Sequence, residues 1–287
     1  MVKRASTLML VISLVFLTAT LNAGGKIAGT YGAGPEKFSL ATGSPGELGL
    51  LKVLGEAFNR EMHGKTTLLW VKAGSGKALG LLKDKTVDLI MVHAPGAEMQ
   101  AVKDGLATKR TLIGSNEFVI VGPASDPARI SEAKDAVAAY GRIANARAKF
   151  FSRGDNSGTH KKELDIWQKA GIQPQAEWYI VTKDFMTATL KRAHREQGYF
   201  MVDSSTWVAE KKEVPNLKVL FKGDKMLVNT YHALCQPPGA TPGAATAVKF
   251  IDFVASSRGQ QIIKDYGRDR YGEGLYNDAA YARQYEK

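Results

Sequence analysis

The sequence predicts an α/β protein of two lobes, each a mostly parallel sheet flanked by helices, with the chain crossing between them twice. Three observations point there. Short apolar runs that end in Gly/Ser/Thr-rich loops and lead into helical patterns recur along the chain, as βα units in series do. Two extended runs, residues 118–122 and 226–235, are ended by Pro123 and by Pro237-Pro238-Gly239 and read as the crossings. The length, 287 residues with 44% hydrophobic, suits about two domains. Lobe I is therefore expected over residues 24–122 and 226–287, and lobe II over residues 123–225.

In chain order, residues 24–36 are rich in Gly and Pro and read as a flexible lead-in. Residues 37–42 read as a strand carrying Phe38 and Leu40 and ending in Thr42-Gly43-Ser44-Pro45-Gly46. A helix is expected from about Glu47, with Leu48, Leu51, Leu54, Ala57 and Phe58 at helical spacing and Gly64 past its end. Residues 67–71 form the next strand, broken by Ala73-Gly74-Ser75-Gly76 before a short helix over 77–83. Val87-Asp88-Leu89-Ile90-Met91-Val92 reads as a buried strand. After His93-Ala94-Pro95-Gly96, a helix over 97–104 stops at Gly105.

Beyond the first crossing, Ser131 is expected to cap a helix running to about Arg147. Residues 148–152 lead into a central loop, 177–181 are extended, and Asp184 is expected to cap a helix through Met186, Leu190, Ala193 and His194. Tyr199-Phe200-Met201-Val202 reads as a strand entering Asp203-Ser204-Ser205-Thr206, with a short helix over 207–211. Residues 217–221 are extended. After the second crossing, helices over 244–255 and 258–266 precede a Gly/Tyr-rich end.

The central loop is Arg153-Gly154-Asp155-Asn156-Ser157-Gly158-Thr159, between the apolar Phe150-Phe151 and a helix whose inner face reads as Leu164, Trp167 and Ala170. His160, Lys161 and Lys162 occupy that helix's first turn, where the macrodipole disfavours cations and welcomes an anion. Ser157 and Thr159 hydroxyls, free N–H groups from Gly158 onward and the planar fork of Arg153 can surround an oxyanion. An ordinary capped helix with solvated lysines accounts for the same residues equally well on local chemistry. In open α/β sheets, ligands sit where the strands' carboxyl ends gather. The loops at Thr42/Ser44, Ser75, Arg153/Ser157/Gly158/Thr159 and Ser204/Ser205 would then line one inter-lobe cleft and hold a small oxyanion with neutral donors and one Arg.

Met1 to Ala23 has a basic start in Lys3 and Arg4, an apolar run over residues 8–21 and the small-residue site Leu21-Asn22-Ala23, which reads as a cleaved secretory signal. Its apolar run is shorter than the roughly 20 residues of a membrane span. Loss of Lys3 and Arg4 lowers the formal charge of +11 by two and leaves a basic protein. The single cysteine, Cys235, lies in an apolar run and reads as core.

Enzyme motifs are mostly missing. Gly74-Ser75-Gly76-Lys77 lacks the first Gly of a P-loop, where Val71 stands, and Ala78 replaces the Mg²⁺-contacting hydroxyl. No G-x-S-x-G elbow occurs. His63, His93, His160, His194 and His232 show no H-E-x-x-H or paired spacing, so no zinc site is expected. Asp155 and Asp203, in Asp-x-Ser contexts, read as turn or cap residues before acid/base groups. The dispersed lysines do not suit nucleic acid.

The run Ser152-Arg153-Gly154-Asp155-Asn156-Ser157-Gly158-Thr159-His160-Lys161-Lys162-Glu163 resembles the TupA family of tungstate-binding proteins, exported solute receptors of ABC importers. The resemblance extends over nearly the whole mature chain, through residues 71–79, Val92-His93-Ala94-Pro95 and Asp203-Ser204-Ser205-Thr206. Where the family shows a T-T-T-S run, Leu40-Ala41-Thr42-Gly43-Ser44 keeps only Thr42 and Ser44. The resemblance implies a type II periplasmic binding-protein fold, no catalysis, no cofactor, and a tungstate or molybdate ligand between the lobes, delivered to a membrane permease. Arg153, Ser157 and Thr159 carry over directly. A free periplasmic monomer is expected. The runner-up is a receptor for sulfate or phosphate, and the different-class alternative is an exported hydrolase using Asp155, His160 or Asp203.

Overall fold

A computed structural model describes residues 26–175 and 177–286, and the signal expected over residues 1–23 lies outside them. The first part of the chain runs β1 (Ile27–Tyr31), β2 (Glu36–Thr42), α1 (Ser44–Glu47), α2 (Leu50–Glu61), β3 (Thr66–Lys72), α3 (Ser75–Lys83), β4 (Leu89–Val92) and α4 (Pro95–Lys103). A long strand, β5 (Thr108–Pro123), follows. Beyond it come α5 (Ala136–Asn145), β6 (Phe150–Ser152), α6 (Gly158–Lys169), β7 (Tyr179–Val181), α7 (Met186–Arg195), β8 (Tyr199–Asp203), α8 (Ser204–Glu210) and β9 (Leu217–Phe221). The chain returns through β10 (Val228–Cys235) to α9 (Ala244–Ala255) and α10 (Ser257–Asp265).

Two parallel cores result. β2 lies between β3 and β4, parallel to both, and β6 lies between β7 and β8, parallel to both. β4 (Leu-Ile-Met-Val) is buried along its length, as a strand covered on both faces must be. Antiparallel strands complete the sheet: β1 edges β3, while β10 pairs with both β4 and β5. β5 joins the cores, pairing with β10 up to Glu117 and with β8 and β9 from Phe118 onward. The sheet order is β1-β3-β2-β4-β10-β5-β8-β6-β7, with β9 on β5.

Packing follows the same division. One apolar cluster uses residues between Phe118 and Leu227, with Tyr140, Phe150 and Trp167 in mutual ring contact. A second joins the two ends of the chain, with Phe38 and Phe58 from the first part against Phe250 from α9.

Several local expectations are corrected. Residues 24–36 are not only a lead-in, because Thr30 and Tyr31 pair with Leu69 and Leu68 along the β3 edge. The helix expected at Glu47 begins at Ser44, and Gly49, at φ 91, separates α1 from α2. The first crossing strand starts at Thr108; its first four residues, Thr-Lys-Arg-Thr, are polar and pair with β10 through the backbone, and Ile113 then packs into the core formed by the two chain ends. Asp135, not Ser131, caps α5 by accepting from Ala138 N at 2.7 Å, while Ser131 Oγ donates to Asp126 at 2.8 Å. Asp184 caps nothing: α7 starts after Phe185 without a side-chain cap. Leu164 is 44% exposed, and Ala170 is only half-buried. The buried stripe of α6 is Thr159, Glu163, Ile166 and Trp167, at i, i+4, i+7 and i+8, so that of the expected inner face only Trp167 is buried and the Glu163 carboxylate takes a core position.

Candidate functional site

The carboxyl ends of β2, β3 and β4 face those of β6, β7 and β8, and side chains touch across the divide. Ser44 Oγ, after β2, donates to Asp203 Oδ2, at the end of β8, at 3.3 Å. A Cβ placed on Gly74, after β3, would lie 3.0 Å from Ser157 Cβ, after β6. Gly76 meets Asn156 and Gly158 meets the His93 ring closely enough that neither leaves room for a Cβ. Glycine at these positions is what lets the two sets of loops approach.

The loop after β6 turns through left-handed residues, Gly154 at φ 59 and Asn156 at φ 58, before α6 begins. Ser157 is the N-cap, its Oγ accepting from His160 N at 3.3 Å. Asp155 closes the turn by accepting from Ser157 N at 3.1 Å through Oδ1, while Oδ2 pairs with Arg153 Nη2 at 2.5 Å. Arg153 is 4% exposed, donates through Nε to the Asp184 carbonyl at 3.2 Å, and lies 5.5 Å from the Phe185 ring centroid. From the sequence, Arg153 is expected to reach an anion. Here it braces the loop, with further guanidinium N–H groups left to donate.

The hydroxyls predicted to line the cleft fall into two groups. Ser75 Oγ accepts from His93 N at 3.3 Å and Ser204 Oγ from Glu117 N at 3.2 Å, so each keeps its own proton to donate, as Ser157 does. Thr159 Oγ1 is buried with no partner at all. In contrast, Thr42 donates to the Met91 carbonyl at 2.8 Å, Ser205 to the Leu275 carbonyl at 2.7 Å, and Ser44 to Asp203. Those three are spent on the scaffold or on the contact across the divide.

Asp203 caps α8, accepting from Thr206 N and Thr206 Oγ1, both at 2.9 Å. Burial raises its pKa, opposed by these bonds and by Arg153. Both Asp155 oxygens are engaged as well. His160 Nδ1 accepts from Asn156 N at 3.1 Å, and burial lowers its pKa. Glu163 lies behind the loop, 2.6 Å from the Tyr179 hydroxyl and 3.3 Å from Trp167 Nε1; burial pushes it up to about 7 against those bonds.

Two polar groups in this region went unassigned from sequence, His93 and the Asn116/Asn229 pair that backs it. His93 follows a strand and precedes a helix like the other loops, and that repeat was the available signal. Among the described residues, no group of three or more His, Cys, Asp or Glu side chains could hold a metal ion. Cys235 is free and buried.

A family model of the PBP superfamily domain matches residues 29–258. The TupA tungstate-binding protein of Peptoclostridium acidaminophilum is 31% identical over 279 residues, covering 96% of each chain. The chain belongs to the TupA family. A family member of known structure, TupA from Desulfovibrio alaskensis G20, is 36% identical, with a TM-score of 0.69 over 84% of this chain and 98% of that one. The tungstate ABC transporter structure from Geobacter sulfurreducens is also 36% identical, with a TM-score of 0.73 over 82% of this chain and all of that one. The family's two-lobed α/β fold accounts for the paired parallel cores and the strand ends that face one another.

Proposed function

We propose that the protein is an exported receptor that captures a tetrahedral oxyanion, tungstate first and molybdate next, between two lobes and delivers it to an ABC-transporter permease. The buried, unpartnered Thr159 hydroxyl at the α6 N-terminus carries this reading. A hydroxyl in that position costs stability unless something accepts or donates there. The free N–H groups of the first turn, the spare protons of Ser157, Ser75 and Ser204 and the remaining Arg153 donors would supply the anion's other hydrogen bonds, and the helix dipole favours an anion there. The ligand set is Thr42, Ser44, Ser75, Arg153, Ser157, Gly158, Thr159, Ser204 and Ser205; Thr42, Ser44 and Ser205 must give up present partners to donate. Relatives named as tungstate-binding proteins support the choice of anion.

Residues 24–122 and 226–287 form one lobe and residues 123–225 the other, with β5 and β10 as the hinge. Opening breaks the Ser44–Asp203 contact and separates Gly158 from His93; closing on an anion brings Gly158 back against His93, with Ser44 turned from Asp203 to the ligand. We take the signal read over residues 1–23 to export the receptor to the periplasm, where it acts as a free monomer; among the described residues no helix is long and apolar enough to cross a membrane.

Calorimetric titration with tungstate, molybdate, sulfate and phosphate, with a screen for phosphatase and esterase turnover, tests the reading. Tight one-to-one tungstate binding without turnover is expected. Preference for sulfate or phosphate moves the ligand within the class, and turnover abolished by Asp155→Ala overturns the receptor.

A further inference from the structure

His93 sits where the two halves meet. Its ring packs on Gly158, the first residue of α6, and its centroid lies 4.9 Å from that of Tyr231 and 6.1 Å from that of Phe118. A directed chain of hydrogen bonds fixes which ring nitrogen carries the proton. Ser205 Oγ donates to the Leu275 carbonyl at 2.7 Å, so it accepts from Asn116 Nδ2, also at 2.7 Å. Asn116 thereby presents its Oδ1 to Asn229 Nδ2 at 2.8 Å. That leaves Asn229 with its Oδ1 for His93, so the imidazole nitrogen bonded to Asn229 is the protonated one. The other nitrogen, Nδ1, is buried without a partner beside the α6 N-terminus. In the neutral ring it offers only a lone pair, directed at Gly158 where the helix begins.

A lone pair there opposes an anion, whereas a protonated Nδ1 binds one. We propose that His93 contacts the ligand and takes up one proton from solvent on Nδ1 as the oxyanion enters, supplying a positive charge that the Arg153–Asp155 pair does not. The inference rests on the oxyanion reading of the same site.

The charged groups facing the ring are Arg153 and Asp155 from the loop after β6 and Lys162 from α6. Without ligand, burial first and Arg153 second hold His93 down to about 3, Lys162 acting in the same direction, while the Asn229 bond and Asp155 oppose them. The free ring is therefore neutral, resisting protonation at pH 7 by roughly 10⁴-fold. Two negative charges at roughly 4 Å, at an effective dielectric of about 20, favour the charged ring by roughly 10⁶-fold. The bound ring is charged.

Sodium tungstate titrated calorimetrically into the purified protein, in buffers of different ionisation enthalpy, counts the protons directly. Uptake of close to one proton per tungstate is expected, with Kd rising by up to about tenfold per pH unit between about pH 6.5 and 8.5. His93→Gln should bind more weakly with uptake near zero, while Glu163→Gln, which removes another buried group titrating near neutrality, should leave uptake intact. Imidazole nitrogen NMR of the wild-type protein reads the same event without a variant, through Nδ1 becoming protonated on binding. Tungstate binding without proton uptake, or uptake surviving in His93→Gln, overturns the inference and leaves the oxyanion reading standing. No tungstate binding in any buffer overturns both.

Discussion

Replacing Thr159 with Val should move affinity and stability in opposite directions. The exchange keeps the branched shape and removes one atom, an oxygen that is buried and bonded to nothing in the protein. A buried polar group without a partner costs about 1–3 kcal/mol, so the unliganded Thr159→Val protein should be the more stable one. At about 2–4 °C per kcal/mol for a chain of this size, its melting temperature should rise by several degrees. A hydrogen bond to a charged group contributes about 1.5–3 kcal/mol, so tungstate affinity should fall about tenfold to 150-fold at 1.4 kcal/mol per decade. Calorimetry for Kd and thermal unfolding without ligand, on the same preparations, check both. Unchanged affinity, or lower stability in the unliganded variant, would refute the placement of the anion at Thr159.

Arg153→Ala should weaken binding by about tenfold to a few hundredfold and also lower unliganded stability, because Asp155 loses its partner; Arg153→Lys should keep the charge but not the fork, and lose much of the affinity. Unchanged tungstate Kd in both variants would remove Arg153 from the site. Gly158→Ala should impair closure, since its Cβ meets the His93 ring and backbone, and scattering profiles with and without tungstate should then differ less than in wild type. Binding inside a closed cleft, where charges are screened less than at the surface, should weaken only modestly with salt; a steep loss would point to a surface lysine patch. Glu163, raised from 4.5 to about 7, stabilises the fold below about pH 4.5 and loses that contribution as pH rises to about 7, a difference of about 3 kcal/mol. Unfolding of Glu163→Gln across this range should lack that fall.

Much of the architecture was legible because apolar runs and helical spacing mark elements whose faces are buried. β4 is the clearest case, four consecutive apolar residues between turn signals. Elements held by backbone pairing were not legible: β1 is Gly-containing and mostly exposed, and the first four residues of β5, Thr-Lys-Arg-Thr, read as polar chain. The stripe on α6 was misread because Glu163, satisfied by Tyr179 and Trp167, takes a core position that a pattern of apolar residues cannot reveal. The loops of the candidate site stood out as hydroxyls and glycines after successive strands. Which hydroxyls have protons to spare did not, because a hydroxyl both donates and accepts, and only the positions of its neighbours decide. His93 was passed over for a related reason: its significance lies in Asn229, Asn116, Ser205 and Leu275, which are far apart in the chain and meet only in the fold.

The anion is proposed to sit at the N-terminus of α6, between the facing loops. Anomalous scattering from crystals grown with tungstate locates the metal atom of the oxyanion directly. One strong peak is expected, enclosed by the first turn of α6 and within oxygen-mediated reach of the Thr159 hydroxyl and the Ser75 loop. A peak on exposed lysines, with none at the α6 N-terminus, would contradict it.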